Sequence, residues 1–411
     1  MTLRSGRQSA LQQSEEVAYN EGIAAYGMSS MKLLHTSDWH LGRQFHQASL
    51  LADQRHVLQQ IVAYIEAYQV SALLVSGDIY DRSVPPADAV ALLDEVVSEV
   101  CGRLKTPLIL ISGNHDSAVR LRFGASQLKA SGLHILGDLA QVTEPVVIQQ
   151  GEQTVHVYGV PYHTPEEVRT ELGLPVRTFD EAHTALVEAI VTQMRPDVAN
   201  VCMSHCFVSG AAASDSERPL AIGGADQVAA APMLPFDYVA LGHLHSPQAK
   251  GAEHIRYSGS LLKYSFSEEG QKKGVTLITL AQQRVAEITH LPLTPLRDMR
   301  IIEGTLAEVK AQGGVDPAAD DYVLVRLTDQ QALLDAMAQV RAVYPNVLHM
   351  ERLAFNQERP VNVSQRQLKK GPLALFDDFY QQVQGQPLSE AQAEAMTALV
   401  SELTTKNKDL A

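Results

Sequence analysis

His35-Thr36-Ser37-Asp38-Trp39-His40-Leu41-Gly42-Arg43 closes an apolar run that Met31 opens, and the pattern on either side of this stretch sets the fold. Residues 32–37 read as a strand whose apolar character is that of a strand buried on both faces. Beyond it the chain alternates between helix over 53–68, strand over 72–76, helix over 87–104 and strand over 107–112. Later strands at 154–159, 201–204, 238–241, 255–258 and 275–280 enclose a helix at about 179–194. This predicts an α/β (α+β) fold in which a sandwich of sheets is covered by helices, with polar residues gathered at strand ends.

Near Pro292 and Pro295 the character of the chain changes. A smaller unit follows, with strands over 300–303, 322–327 and 347–352 and a helix over 331–343. Pro, Asn and Gln between Phe355 and Gly371 read as a linker. After it, Leu375, Phe376, Phe379, Tyr380 and Val383 fall on one helical face, and Met396, Leu399, Val400 and Leu403 on another beyond a break at 385–387. Ser389 with Gln392 forms a capping-box pattern for the second of these helices. The expected organisation is a disordered extension over 1–30, a catalytic domain over 31–295, a small α/β unit over 296–355, a linker over 356–371 and a helical module over 372–411.

At 411 residues the chain is long enough for one large domain with smaller modules and can bury a full core without staples. Its three cysteines, Cys101, Cys202 and Cys206, are odd in number and lack paired-ligand spacing, which fits a reducing cytoplasm. There is no apolar run of about 18 residues and no secretory signal pattern. The net charge of −14 argues against unaided binding to nucleic acid, which relies on Lys and Arg against phosphates. Bound cations or a basic partner subunit would relieve that conflict.

Five segments concentrate Asp, His and Asn where strands end: Asp38-Trp39-His40, Gly77-Asp78, Gly113-Asn114-His115-Asp116, His205, and Gly242-His243-Leu244-His245. In extended chain alternate residues point the same way, so Asp38 with His40, and His243 with His245, can serve one centre. Oxygen and imidazole donors without thiolate favour Mn, Fe or Zn, and a carboxylate such as Asp78 can bridge two ions. Gly77, Gly113 and Gly242 permit the tight turns such crowding needs. The chemistry this suits is phosphodiester hydrolysis, in which two cations about 3.5–4 Å apart neutralise the phosphate and lower the pKa of the attacking water. His115, beside Asn114, is placed to protonate the leaving oxygen, and Asp81 to orient that imidazole.

Taken singly, each segment has a plainer explanation. Asp38-Trp39-His40 is a surface loop, Gly77-Asp78 a turn, and Asp116 the N-cap of a helix near Ala118. Their joint occurrence in this order is what those explanations do not cover. His35, His56, His134, His163 and His183 read as packing or surface residues, and Cys206 as structural. Arg43, Arg82, Arg120 and Arg122 flank the motifs and are candidate phosphate contacts.

The order Asp-x-His, Gly-Asp, Gly-Asn-His-Asp, His, Gly-His-x-His resembles the calcineurin-like metallophosphoesterase superfamily. The resemblance implies a four-layer β-sandwich flanked by helices, with Asp38, His40, Asp78 and His245 holding one ion and Asp78, Asn114, His205 and His243 the other, manganese being the foremost candidate. The longer stretches around these motifs, including Gly77-Asp78-Ile79-Tyr80-Asp81-Arg82 and Ile111-Ser112-Gly113-Asn114-His115-Asp116-Ser117, resemble the SbcD-type nucleases, relatives of the Mre nucleases. That likeness implies DNA as substrate, exonuclease and endonuclease action in recombination and repair, and a capping domain at 296–355. It also implies docking of the C-terminal helices on an SbcC-type ATPase, with a homodimer of the nuclease inside a heterotetramer. In the wider family the slot of Asp81 can carry a His that assists the catalytic His.

Two other readings compete. A phosphoesterase acting on a small diester, nucleotide or phosphoprotein would share the core motifs but has no need of the two C-terminal modules. A non-catalytic scaffold would lack ligand residues, and none is missing here. The chain carries no G-x-x-x-x-G-K-[ST] phosphate loop, so ATP use would lie with a partner.

Overall fold

Apolar strands that present no polar face have to be sandwiched, and the chain achieves this with two six-stranded sheets packed on each other. The computed structural model describes residues 30–217, 226–353, 374, 376, 377, 380, 381 and 386–408. These fall into two compact units, Met1–Asp298 and Met299–Ala411. Residues 1–29, the expected linker over 356–371, Leu375, Phe379, Val383 and the side chain of Leu403 lie outside the described residues.

In the larger unit the first sheet is built around β1 (Met31–Thr36), β2 (Ala72–Ser76), β3 (Leu108–Ile111) and β4 (Leu133–Leu136), which run parallel. The second sheet contains β5 (Val146–Gln150), β6 (Gln153–Val160), β7 (Ala199–His205), β8 (Tyr238–Gly242), β9 (Gln248–Lys250) and β10 (Ala252–Tyr257). β11 (Gly274–Ala281) returns antiparallel to β1, and β12 (Arg284–Pro292) forms the edge beside it. The order is β12-β11-β1-β2-β3-β4 in one sheet and β9-β10-β8-β7-β6-β5 in the other.

Side chains alternate across these sheets. Met31, Leu33, Ala72, Leu74, Ile109 and Ile111 of the first sheet meet Val155, Val157, Val201, Met203 and Tyr238 of the second in one core. The opposite face of the second sheet, including Tyr158, Cys202, Val239 and Tyr257, packs with Val168 of α3 (Pro165–Leu172) and with Leu186, Val187 and Ile190 of α4 (Phe179–Gln193). The first sheet's connections are α1 (Leu51–Tyr68), which buries Val57, Leu58, Ile61 and Ile65, and α2 (Ala87–Val97), which buries Leu92 and Val96. The result is the expected four-layer sandwich.

The smaller unit is a three-stranded parallel sheet, β13 (Met299–Gly304), β14 (Tyr322–Leu327) and β15 (Val347–Arg352), crossed by α5 (Leu306–Gly313) and α6 (Ala336–Arg341). The helix expected from residue 331 begins only at Ala336, because Asp335 takes a left-handed conformation (φ 49°) that interrupts the turn. α7 (Glu390–Lys408) opens with the Ser389–Gln392 capping box, and Gln392 Nε2 donates to the hydroxyl of Tyr380 at 2.9 Å. No helix among the described residues is long and apolar enough to cross a membrane.

Candidate metal centre

Parallel strands deliver their following loops to one end of a sheet, and here the carboxyl ends of β1, β2, β3, β7 and β8 deliver Asp38, His40, Asp78, Asn114, His205, His243 and His245 to one place. The β1–β2 ladder continues into the loops: Asp38 N donates to Gly77 O (3.1 Å), His40 N to Asp78 O (2.9 Å) and Leu41 N to Ile79 O (2.9 Å). Asp38, His40 and Asp78 all sit in the left-handed region at φ 52°, 46° and 50°. Such conformations cost of order 1–3 kcal/mol each and persist where surroundings over-determine them. Asp38 and His40 are thus not extended, as alternation would have it; a strained turn rather than strand pleat aims them together.

Asp78 Oδ2 stands 3.6 Å from His40 Nε2 and 3.6 Å from His205 Nε2, between two groups of donors. On one side His40 Nε2 faces His245 Nε2 at 3.1 Å, with Asp38 close enough that the ligand atoms of all three lie within 4.8 Å of one another. On the other, Asn114 Oδ1 lies 2.9 Å from His205 Nε2 and 3.2 Å from His243 Nδ1. His243 and His245 therefore diverge to opposite halves instead of serving one centre, since His243 has φ 103°. Backbone crowding is severe. A Cβ on Gly113 would collide with the Asp78 carboxylate, and one on Gly242 with the Ser76 carbonyl.

Hydrogen bonding fixes the tautomer of His205. His205 Nδ1 lies 2.8 Å from the Ser76 carbonyl, which only accepts, so Nδ1 carries the proton and Nε2 presents a lone pair. That lone pair faces the oxygens of Asn114 and Asp78. Burial holds His205, His40 and His243 below the ordinary imidazole range, so all three rings are neutral. Burial, and then the charge of Asp78, push the Asp38 carboxyl well up. Converging lone pairs and buried carboxylates in one water-poor space are satisfied by cations. The donor separations suit a shell at about 2.1 Å from an ion, whose edges are on the order of 3 Å. The donor set fits hard or borderline divalent metals.

His115 stands at the rim. Its ring meets His40 edge-on at a centroid distance of 4.6 Å, its backbone N donates to Asp78 Oδ1 (2.9 Å), and its Nδ1 lies 2.8 Å from the backbone oxygen of Asp81. The Asp81 carboxylate lies within 4.8 Å of a His115 ring nitrogen, but its closer partners are Arg43 (3.2 Å) and His40 Nδ1 (3.7 Å). The expected side-chain pairing of Asp81 with His115 is thus replaced by a main-chain contact. The Asp81 N–H bonded to Leu41 O (3.2 Å) orients the residue that way.

Asp116 also differs from its expected role as a helix cap. Its carboxylate accepts from the backbone N–H of Ile79 (3.1 Å), Tyr80 (2.9 Å) and Gly113 (2.9 Å), clamping the Asp78 loop to the Asn114 loop. Arg120 and Arg122 are engaged away from the centre, with the Ser83 carbonyl and Asp138 respectively, whereas Arg43 lies over the Tyr264 ring at 5.0 Å. His35, His163 and His183 are internal rings outside the ligand set, hydrogen-bonded to Tyr238, Pro161 and Ser204. Burial pushes the Cys206 thiol up to about 12, which rules it out as a thiolate nucleophile near neutral pH.

Several supporting residues carry no motif. Gln54 of α1 donates to the carbonyls of Trp39 (3.0 Å) and His40 (2.8 Å), and the Tyr264 hydroxyl donates to the Trp39 carbonyl (2.5 Å). Ser216, Glu217, Glu268 and Lys273 surround His245. A Gln in a helix and a Glu in a polar loop give no sequence signal.

A family model for the calcineurin-like phosphoesterases matches residues 31–247, more than half of the chain. A second, for the type 5 capsule protein repressor C-terminal domain of the SbcD family, matches residues 295–384. The chain is 32% identical over 373 residues to the SbcD component of the SbcCD nuclease of Staphylococcus epidermidis, covering 90% of this chain and 98% of that protein. Two solved structures, a protein of Thermus thermophilus and a dimetal phosphatase of Danio rerio, align with TM-scores of 0.38 and 0.37 at 15% and 12% identity. Each alignment covers 64% of this chain and 99% of the other. The chain belongs to the SbcD family of nucleases, metal-dependent phosphodiesterases of the calcineurin-like class.

Proposed function

We propose that this chain cuts phosphodiester bonds in DNA by a two-metal mechanism, as the nuclease subunit of an SbcCD-type complex. One observation carries the reading. Six other donors gather on either side of a single carboxylate oxygen of Asp78, and the bare Nε2 of His205 among them faces only oxygens. Asp38, His40, Asp78 and His245 would hold one ion, and Asp78, Asn114, His205 and His243 the other. Two divalent cations, manganese foremost, would neutralise the phosphate and lower the pKa of the attacking water.

The protein's own share is positioning and one proton. Because the Asp81 carbonyl only accepts, His115 Nδ1 keeps its proton, and Nε2, which holds the second proton of the imidazolium form, is the atom that would give a proton to the departing oxygen. Asp81 acts through its main chain, holding that ring in place. Arg43, with its guanidinium over Tyr264, is the basic side chain nearest the Asp81 carboxylate and the one we assign to a substrate phosphate.

We further propose a homodimer of this chain, joined to an ATPase partner in a heterotetramer and working in the cytoplasm. Val84, Val119 and Phe123 are 61%, 81% and 87% exposed beside a groove of about 590 Å³ lined by Leu93, Val97, Leu121 and Leu128, a face that a second copy would cover. Leu399 of α7 is 53% exposed, which supports docking of that helix on a partner. The buried free thiols of Cys101, Cys202 and Cys206 suit a reducing compartment.

The decisive assay is manganese-dependent digestion of end-blocked hairpin DNA, with and without the ATPase subunit and ATP. Cutting that requires manganese is the expected result. Failure to cut any DNA, with turnover of a small nucleotide diester intact, would overturn DNA as the substrate.

A further inference from the structure

His245 has four polar atoms, and three of them are held by one charged network that the mechanism above does not use. Its backbone N–H donates to Glu217 Oε1 at 2.8 Å. Its backbone carbonyl accepts from Lys273 Nζ at 2.8 Å. Its ring Nδ1 lies 2.6 Å from Ser216 Oγ and 3.4 Å from Glu268 Oε1. Only Nε2 is left, and it faces His40 across the candidate metal centre.

The direction of each bond in this network is determined. Lys273 has protons and no lone pair, so it donates to Glu268 Oε2 at 2.5 Å. The Glu268 carboxylate can only accept, so the Ser216 hydroxyl donates to it. That leaves the Ser216 oxygen to accept, and the proton it accepts sits on His245 Nδ1. The order is therefore His245 Nδ1–H to Ser216 O–H to Glu268, with Lys273 closing the far end. In the neutral ring this arrangement places the lone pair on His245 Nε2.

Burial makes the arrangement informative. Glu268 is 0% exposed and Lys273 7% exposed, and a buried ion pair contributes little net stability compared with apolar residues of the same volume. Stability alone is thus a poor reason for this pair. A carboxylate behind a ligating imidazole, fixing its tautomer and angle, is a good one.

We propose that Glu268 is the positioning residue of His245, acting through Ser216 and seated by Lys273, and that the segment Ser214-Asp215-Ser216-Glu217 is thereby part of the metal centre. This rests on the two-metal reading of the site and specifies which residues set the affinity of the ion that His245 would hold. Ser214 supports the segment from within, its backbone N and its hydroxyl both donating to Glu217 Oε2 at 2.6 Å. The network would orient the ligand while touching neither substrate nor ion.

The test is a manganese titration by calorimetry on the full-length wild type and on Ser216→Ala, Ser216→Thr and Glu268→Gln, with thermal unfolding of the metal-free forms measured alongside. Wild type is expected to take two ions. Ser216→Ala and Glu268→Gln are expected to weaken one of them by about 10- to 100-fold and leave the other as it was, with Ser216→Thr close to wild type. Glu268→Gln strands Lys273 in the interior and could fail to fold; Ser216→Ala leaves the ion pair intact and keeps the test decisive. Unchanged affinities at both sites in a folded Ser216→Ala protein would overturn the proposal. So would an equal loss at both sites together with a lower melting temperature of the metal-free form, which would mark a merely structural role. A wild type that binds fewer than two ions would instead overturn the two-metal reading itself.

Discussion

His115 Nδ1 lies 2.8 Å from the main-chain oxygen of Asp81, while the Asp81 carboxylate, within 4.8 Å of a His115 ring nitrogen, pairs with Arg43 at 3.2 Å. The imidazole is thus held by a group that no side-chain substitution at position 81 removes. His115→Ala is expected to lower the rate of DNA cutting by at least about 100-fold while metal content stays near that of the wild type. Asp81→Ala should cost clearly less, because the carbonyl remains. Metal analysis beside single-turnover rates checks both; loss of metal in His115→Ala would make His115 a ligand and contradict its assigned role.

Asp116 ties two ligand loops through three backbone N–H groups. Asp116→Ala leaves those donors unsatisfied in a buried place, at about 1–3 kcal/mol for such a group. A lower melting temperature and weaker manganese binding are expected together. Asp116→Asn keeps one acceptor oxygen and should lie between the alanine variant and the wild type.

Gly113 has no room for a methyl group beside the Asp78 carboxylate. Gly113→Ala is expected to displace Asp78 and so to weaken both ions, with an overpacking cost of about 1–3 kcal/mol. Plasma emission analysis of the purified variant reads the metal content. A variant that retains two ions and normal stability would show that the loop relaxes freely.

Buried carboxylates and lone pairs make the metal-free protein the less stable form. If folding is linked to binding, manganese at a free concentration of 100 times its Kd should stabilise the protein by about 2.7 kcal/mol per site. Chelator treatment should abolish hydrolysis and lower the melting temperature, and added manganese should restore both. Thermal unfolding at a series of manganese concentrations measures the slope.

Deleting residues 372–411 is expected to abolish co-purification with the ATPase subunit while leaving hydrolysis of a small chromogenic diester within a few-fold of the full chain. The candidate metal ligands all lie between Asp38 and His245, in the larger unit. Normal co-purification after the deletion would remove the docking assignment.

What the sequence determined by itself was the set of chemical groups and the order of the central strands. Apolar runs ending in Asp, His and Asn located β1, β2, β3, β7 and β8, because a strand buried on both faces can carry polar residues only where it ends. It was silent on the edges. β12 is largely exposed and mixes polar with apolar residues, and β4 is short and ends in none of the five polar segments, so neither stands out from loop. α3 and α5 were also missed, although Thr164 with Glu167 and Thr305 with Glu308 spell capping boxes that mark both starts.

Only the tertiary structure decided how the groups meet. Left-handed turns at Asp38, His40 and Asp78, not strand alternation, aim the ligands. His243 and His245, two residues apart, part to opposite sides of Asp78. Asp81 works through its main chain, and Gln54, Ser216, Glu268 and Lys273 reach the centre from segments without a motif. The physical reason is the same in each case. A residue's type is a local property, but whether its lone pair or proton faces another depends on which loops the sheets bring side by side.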